Sequence, residues 1–173
     1  MRIFLRETVI TLVLAIAAFF LLSTSVQTFV IVGRSMEPTF HDTQRLLVNK
    51  IVYNLHEPER GDVIIFRPPN NQEVDYIKRI IALPGDTIEV KDEVVYVNGT
   101  RLDESYIKSP PRYTLNQREI PENNYFVLGD NRNNSNDSHS GWLVPRQNII
   151  GKAWLSIWPP GEWGLAANYA LPG

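Results

Sequence analysis

The chain has no cysteine, which excludes disulfides, a thiolate nucleophile, iron–sulfur clusters and cysteine-held zinc together. It also lacks charge of one dominant sign: 17 basic residues face 19 acidic ones, for a net charge of −2, with the two signs mixed along the sequence. No basic stripe suits it to nucleic acid and no acidic tail to a basic partner. Histidine is scarce, and His41, His56 and His139 lack the i, i+4 spacing by which a helix presents two ligands to zinc, so neither a metal nor another cofactor is expected. A dinucleotide-type glycine fingerprint, an internal repeat and a low-complexity tract are all missing. With 173 residues, the chain has room for one domain of roughly 140 residues beside an anchor, but not for two large catalytic domains.

One stretch lacks charge altogether. Thr8 to Val32 runs for 25 residues without a charged side chain, about 37 Å as a helix, against ~30 Å of bilayer hydrocarbon. This predicts a transmembrane helix over 8–32, a short cytoplasmic segment at 1–7 and an extracytoplasmic catalytic β domain at 33–173. A cleavable signal peptide has an apolar centre of about 7–15 residues. Here the apolar run continues from Ala15–Leu22 through Val26 and Phe29 to Val32. Arg2 and Arg6, offset by Glu7, favour a cytoplasmic start, and Arg34, Arg45 and Lys50 beyond the stretch weaken that bias. The absence of Asp and Glu from the stretch excludes a paired-carboxylate intramembrane protease.

After residue 40 the apolar residues fall in short runs between turn formers, with no sustained 3.6-residue period. This predicts a mostly β, antiparallel domain. Candidate strands are Arg45–Tyr53, Asp62–Phe66, Val74–Leu83, Thr87–Val90, Tyr125–Leu128 and Ile149–Trp158. A hairpin is expected in Glu93–Leu102, where Asn98-Gly99 separates two runs. Ser105–Glu122 is polar and proline-containing and reads as an extended surface loop. Trp142, Trp154, Trp158 and Trp163 are consistent either with core packing or with an aromatic rim at a membrane surface.

Three segments carry chemistry. Gly33-Arg34-Ser35-Met36-Glu37-Pro38-Thr39 puts a serine in a turn-prone stretch just past the apolar run. Tyr76-Ile77-Lys78-Arg79-Ile80-Ile81 puts a lysine inside an apolar strand, and Gly129 to Gly141 is a dense polar loop. Strand alternation sets Tyr76, Lys78 and Ile80 on one face and Ile77, Arg79 and Ile81 on the other. Lys78 can reach solvent or an ion pair; buried against apolar surface it becomes a base, because burial disfavours the ammonium. An unperturbed lysine is neutral only about once in a few thousand molecules at pH 7. The polar loop fails the calcium-loop pattern, since Arg132 stands at a ligand position and no glutamate closes it.

Taken together and in order, these segments resemble the type I signal peptidases, serine–lysine peptidases of family S26. The resemblance rests on the serine segment 33–39, on Arg60-Gly61-Asp62-Val63-Ile64-Ile65-Phe66, on the lysine segment from Tyr76 to Asp86 and on Gly129 to Pro145. It implies a signal-peptidase-like complex β fold and a single-pass membrane protein. The catalytic domain would lie on the extracytoplasmic face of a bacterial plasma membrane or a thylakoid membrane. The implied partners are the lipid bilayer and preproteins bearing signal peptides, cut after small residues of the Ala-X-Ala type.

Carried onto this sequence, the family pattern makes Ser35 the nucleophile, Lys78 its general base and the Ser35 backbone N–H the oxyanion donor. Ser135 would orient Lys78, Asp130 would pair with Arg79, and Asp137 would support the loop. Met36 and Pro38 would contact substrate, with Met36 packing under the nucleophile or against lipid as the family suggests, or else filling a gap in the core. Gly33 stands where some members carry a second hydroxyl. His139 stands where the family generally has an arginine paired with the equivalent of Asp137. An imidazole with a pKa near 6.5 is mostly neutral at pH 7, so that pairing is expected to be partial. A Ser-His-Asp arrangement using His41 or His139 is the rival enzymatic reading. A non-catalytic, membrane-tethered peptide-binding β domain is the rival from another class.

Overall fold

A computed structural model describes residues 2–169 and 171, with the side chains at 2, 3, 5, 18 and 20–22 outside the described set. Helix α1 (Arg2–Ser25) is built from a run free of glycine and proline, and every described large apolar side chain from Val9 to Phe19 is exposed. The expected helix over 8–32 is corrected here, because α1 stops at Ser25 and Val26–Val30 forms strand β1. β-branched Val26, Thr28 and Val30 suit a strand. A partner also decides it: β1 pairs along its full length with β2 (Arg45–Asn49), from Val26 opposite Asn49 to Val30 opposite Arg45. Among the described residues no helix is long and apolar enough to cross a membrane. Positions 18 and 20–22 of the expected span lie outside the described side chains.

The remaining strands are β3 (Val63–Phe66), β4 (Tyr76–Ala82), β5 (Thr87–Lys91), β6 (Val94–Val97), β7 (Thr100–Arg101), β8 (Leu115–Glu119), β9 (Asn124–Leu128), β10 (Val144–Pro145), β11 (Ile149–Trp158) and β12 (Gly164–Leu165). All pairings are antiparallel. One sheet runs β1-β2-β11-β3-β4-β9-β10 with β12 added to β11, and a smaller one runs β7-β6-β5-β8. The predicted hairpin is β6–β7, and its turn residues Asn98 and Gly99 both have positive φ, 52° and 74°. The segment 105–122 is not all loop: β8 pairs with β5. Leu115-Asn-Gln-Arg-Glu119 is a polar edge strand with only Leu115 and Arg118 partly covered, so it carries no apolar alternation to read.

The central strands of the large sheet are covered on both faces, so successive residues enter different cores. On β3, Val63 and Ile65 join a cluster with Ile31, Met36, Phe40 and Leu46, while Ile64 and Phe66 join Tyr53, Tyr125 and Val127. β4 does the same with Ile77 and Ile80, and its Ile81 enters a third cluster with Ile88, Val95 and Phe126 that glues the small sheet on. β4 is therefore the wall between cores, and its cations Lys78 and Arg79 are both buried. Trp142 packs against Phe66 (6.0 Å between ring centroids), whereas Trp154, Trp158 and Trp163 are exposed.

Candidate active site

The serine segment is a turn held from outside. Asn131 donates its backbone N–H to the Ser35 carbonyl (2.9 Å) and its side-chain amide to the Arg34 carbonyl (3.0 Å). The close approach needs Gly129, since a Cβ there would lie 2.5 Å from the Ser35 carbonyl oxygen and 2.4 Å from Ser135 Oγ. Gly33 has φ +93° and gives its N–H to Asp42 Oδ1 (2.8 Å). A hydroxyl-bearing residue at 33 would have room but would be forced into a conformation that favours glycine.

β4 brings Lys78 against this turn. Its Nζ donates to Ser35 Oγ at 2.7 Å and to the Ile77 carbonyl at 2.8 Å, both neutral oxygens. Burial holds the Lys78 ammonium down at a pKa of about 8, against the opposing pull of Asp137 and Asp130, whose charges act to raise it. Among the described hydrogen bonds the Ser35 N–H has no acceptor. A cavity of about 750 Å³ opens over Ser35 and Lys78, walled by Phe29, Val30 and Val32 on one side and by Val74, Tyr76 and Ile77 on the other. This is within the usual size of a binding cleft.

The neighbouring cation is treated differently. Arg79 grips Asp130 with two hydrogen bonds, Nε to Oδ1 (2.9 Å) and Nη2 to Oδ2 (2.7 Å), both side chains fully buried. Thr39 Oγ1 donates to the same Oδ2 at 2.6 Å, tying the end of the serine segment to the pair.

Asp137 is buried and accepts from the Gly129 N–H (2.9 Å), the His139 N–H (3.2 Å) and the His139 ring at Nδ1 (2.7 Å). The hydrogen bond that the His139 ring donates to Asp137, more than the opposing burial, raises the imidazole pKa above its ordinary value and favours the charged form. His139 also stacks on Tyr113 (4.3 Å, 16°). The Ser35 hydroxyl meets Lys78 and not an imidazole.

Three expected contacts differ. Ser135 Oγ is buried with no hydrogen-bond partner among the described residues, so the expected bond to Lys78 is not formed. Met36 is buried in the core with Ile31 and Phe40, the core packing expected as one of its placements, and it makes no wall of the cavity as a substrate contact would. Pro38 is exposed and outside the cavity wall.

Sequence reasoning missed Thr39, Asn131 and the buried pair Arg132–Glu104 (2.6 and 2.7 Å), to which Tyr106 adds a hydrogen bond (2.9 Å). Thr39 and Asn131 lay inside segments already singled out, but their roles are backbone and carboxylate contacts that no motif spacing announces. Among the described residues no group of three or more histidine or acidic side chains is disposed to hold a metal.

The family described as signal peptidase, peptidase S26, matches residues 5–158. A probable signal peptidase I-2 of Synechocystis sp. is 44% identical over 160 residues, covering 87% of this chain and 73% of the relative. A signal peptidase IB of Staphylococcus aureus is 34% identical over 183 aligned residues, covering 95% of each. The crystal structure of a signal peptidase I from Enterococcus faecalis V583 superposes with a TM-score of 0.51 at 32% identity, covering 56% of this chain and 97% of that one. The chain therefore belongs to the signal peptidase family, peptidase S26, and is a serine protease of the signal peptidase I kind.

Proposed function

We propose that the chain cuts signal peptides from preproteins by a Ser35–Lys78 dyad, and the observation that carries this is the 2.7 Å contact between a serine hydroxyl and a buried lysine of lowered pKa. Neutral Lys78 takes the hydroxyl proton as Ser35 Oγ attacks the scissile carbonyl. The tetrahedral oxyanion is met by the unengaged Ser35 N–H, a donor of a kind worth about 3–4 kcal/mol. Lys78, now an ammonium, protonates the departing amine and frees the mature chain. The resulting Ser35 ester is hydrolysed by a water that gives its proton to Lys78. With a pKa of about 8, roughly one Lys78 in ten is neutral at pH 7, against about one in a few thousand for an ordinary lysine. Ser135, one step away with a free hydroxyl, is the group to orient the amine, and Asp137 and the Arg79–Asp130 pair support it.

Specificity for small residues follows from an extended peptide lying between β1 and β4. The residues one and three before the cut share a face of that peptide, so one wall reads both. Ala-X-Ala junctions fit that geometry.

We propose further that α1 anchors the chain in a bilayer. Thr8–Ser25 is free of charge, about 27 Å of helix at 1.5 Å per residue, and the described large apolar side chains of α1 are exposed. Exposed Val32, Trp154, Trp158, Trp163 and Leu165 would lie at the interface. Since β1 follows α1 directly, the cleft would open near the membrane on the extracytoplasmic face of a plasma or thylakoid membrane. A preprotein held in the same bilayer arrives at raised effective concentration.

The test is cleavage of a preprotein with an Ala-X-Ala junction by detergent-solubilised protein beside Ser35→Ala and Lys78→Ala, from pH 6 to 10. Cleavage after the last alanine, lost in both variants, is the expected result; full activity in Lys78→Ala would remove lysine from the mechanism.

A further inference from the structure

Residues beyond Trp158 lie outside the family match, yet the described part of this segment turns back over the catalytic sheet. β12 pairs with β11, and the Ala166 N–H donates to the Trp154 carbonyl (2.8 Å). Asn168 is the fastener: its Oδ1 accepts from the Val63 N–H (2.8 Å), and its Nδ2 donates to the Ala153 and Ala166 carbonyls (3.1 Å each). Ala166 packs into the core under the serine segment, and Leu171 reaches the core shared with the small sheet.

Between these anchors the segment meets Arg79. Nη1 donates to the Ala167 carbonyl and to the Gly61 carbonyl, both at 2.9 Å, so both of its hydrogens are used. Tyr169 stacks on Tyr106 (5.0 Å, 24°), and the two rings cover the guanidinium at 4.9 and 4.4 Å. Without the segment a fully buried guanidinium would lose one acceptor and half its aromatic cover, an expensive state for a charge away from water. Arg79 is the group that aims Asp130. Asp130 in turn holds Thr39, and Asn131 beside it holds the Arg34 and Ser35 carbonyls.

We propose that residues 166–169 form a strap that positions the nucleophile through Arg79 and Asp130, with Tyr169 and Asn168 as positioning residues. Each link is a direct contact, and the chain of contacts runs from the strap to both peptide carbonyls flanking the reactive serine. The proposal rests on the reading of Ser35 as nucleophile.

The test compares Tyr169→Ala, Tyr169→Phe and Asn168→Ala in the full chain. Active sites are counted by stoichiometric acylation of Ser35, so that misfolded protein does not enter the rate. Tyr169→Ala should lower kcat per counted site about tenfold with KM little changed, as expected when a reacting group is misplaced by a fraction of an ångström. Tyr169→Phe, which keeps the ring, should restore it. A Tyr169→Ala protein with wild-type kcat per counted site, even with a lowered Tm, would overturn the proposal and leave the strap as core cover. If Tyr169→Ala yields no folded protein, Asn168→Ala carries the same measurement, with a fall of about threefold supporting the strap and no change overturning it. Ser35→Ala runs alongside: cleavage persisting there would sink the nucleophile reading, whereas its loss together with an unaltered Tyr169→Ala would sink the strap alone.

Discussion

Strand β4 carries two buried cations side by side, and its two faces treat them in opposite ways. On one face Arg79 meets Asp130 in a doubly bonded pair, with carbonyls and rings filling the rest of its surroundings. On the other face Lys78 meets only neutral oxygens, and Asp137 and Asp130 act on it from farther away. Equal burial thus keeps a charge on one side and discourages it on the other. What differs is the carboxylate, not the depth. The choice of residue matches: guanidinium stays protonated and offers a planar fork, while an amine yields its proton when desolvated.

That contrast breaks hardest at the dyad. Ser35→Ala, Lys78→Ala and also Lys78→Arg should each lower kcat/KM by about a thousandfold or more in preprotein cleavage, the arginine because it cannot be neutralised. Substantial activity in Lys78→Arg would mean that charge, not basicity, is what position 78 supplies. On the opposite face, Asp130→Ala should cost about 3–5 kcal/mol in denaturant unfolding, since it strands a buried guanidinium.

Removing the unpaired cation should do the reverse. The unfolded lysine titrates near 10.5 and the folded one at about 8, so between those values the unfolded state binds more protons and stability rises with pH. At pH 7 the penalty is fully present and amounts to about 3 kcal/mol. Lys78→Met should therefore be more stable than the native chain by about that amount at pH 7, with the gap closing as pH approaches 10.5. A gap that is constant with pH would point to packing alone.

The smallest effect concerns His139. Its folded pKa is raised, so its pairing with Asp137 stabilises fully below the unfolded value of about 6.5 and fades as pH climbs through the folded one. His139→Arg should abolish that alkaline loss, worth under about 1 kcal/mol for a partly exposed ring. The check is urea unfolding of both proteins at pH 6 and 9.

Much of this contrast was readable from the chain. The alternation of Lys78 and Arg79, the strand at Ile149–Trp158 and the Asn98-Gly99 turn all follow from short-range pattern, and local pattern survives folding where it agrees with the core. Val26–Val30 did not, because an apolar run suits a helix or a strand equally until β2 offers it a partner. β8 was hidden by its polarity. Met36 by its place beside Ser35 suits either substrate or the core, and the turn that exposes the hydroxyl sends the next side chain into the core. Ser135 is close to the dyad yet without its bond, since sequence neighbours fix the loop and not the last torsion of a hydroxyl.

The central claim is that a buried lysine is poised to be neutral, and titrating it directly tests that most closely. With lysines carrying 13C at Cε, NMR of the detergent-solubilised protein from pH 6 to 11 should reveal one resonance titrating at about 8, absent in Lys78→Arg. If every lysine, Lys78 included, titrates near 10.5, the amine is an ordinary cation and the dyad has no base.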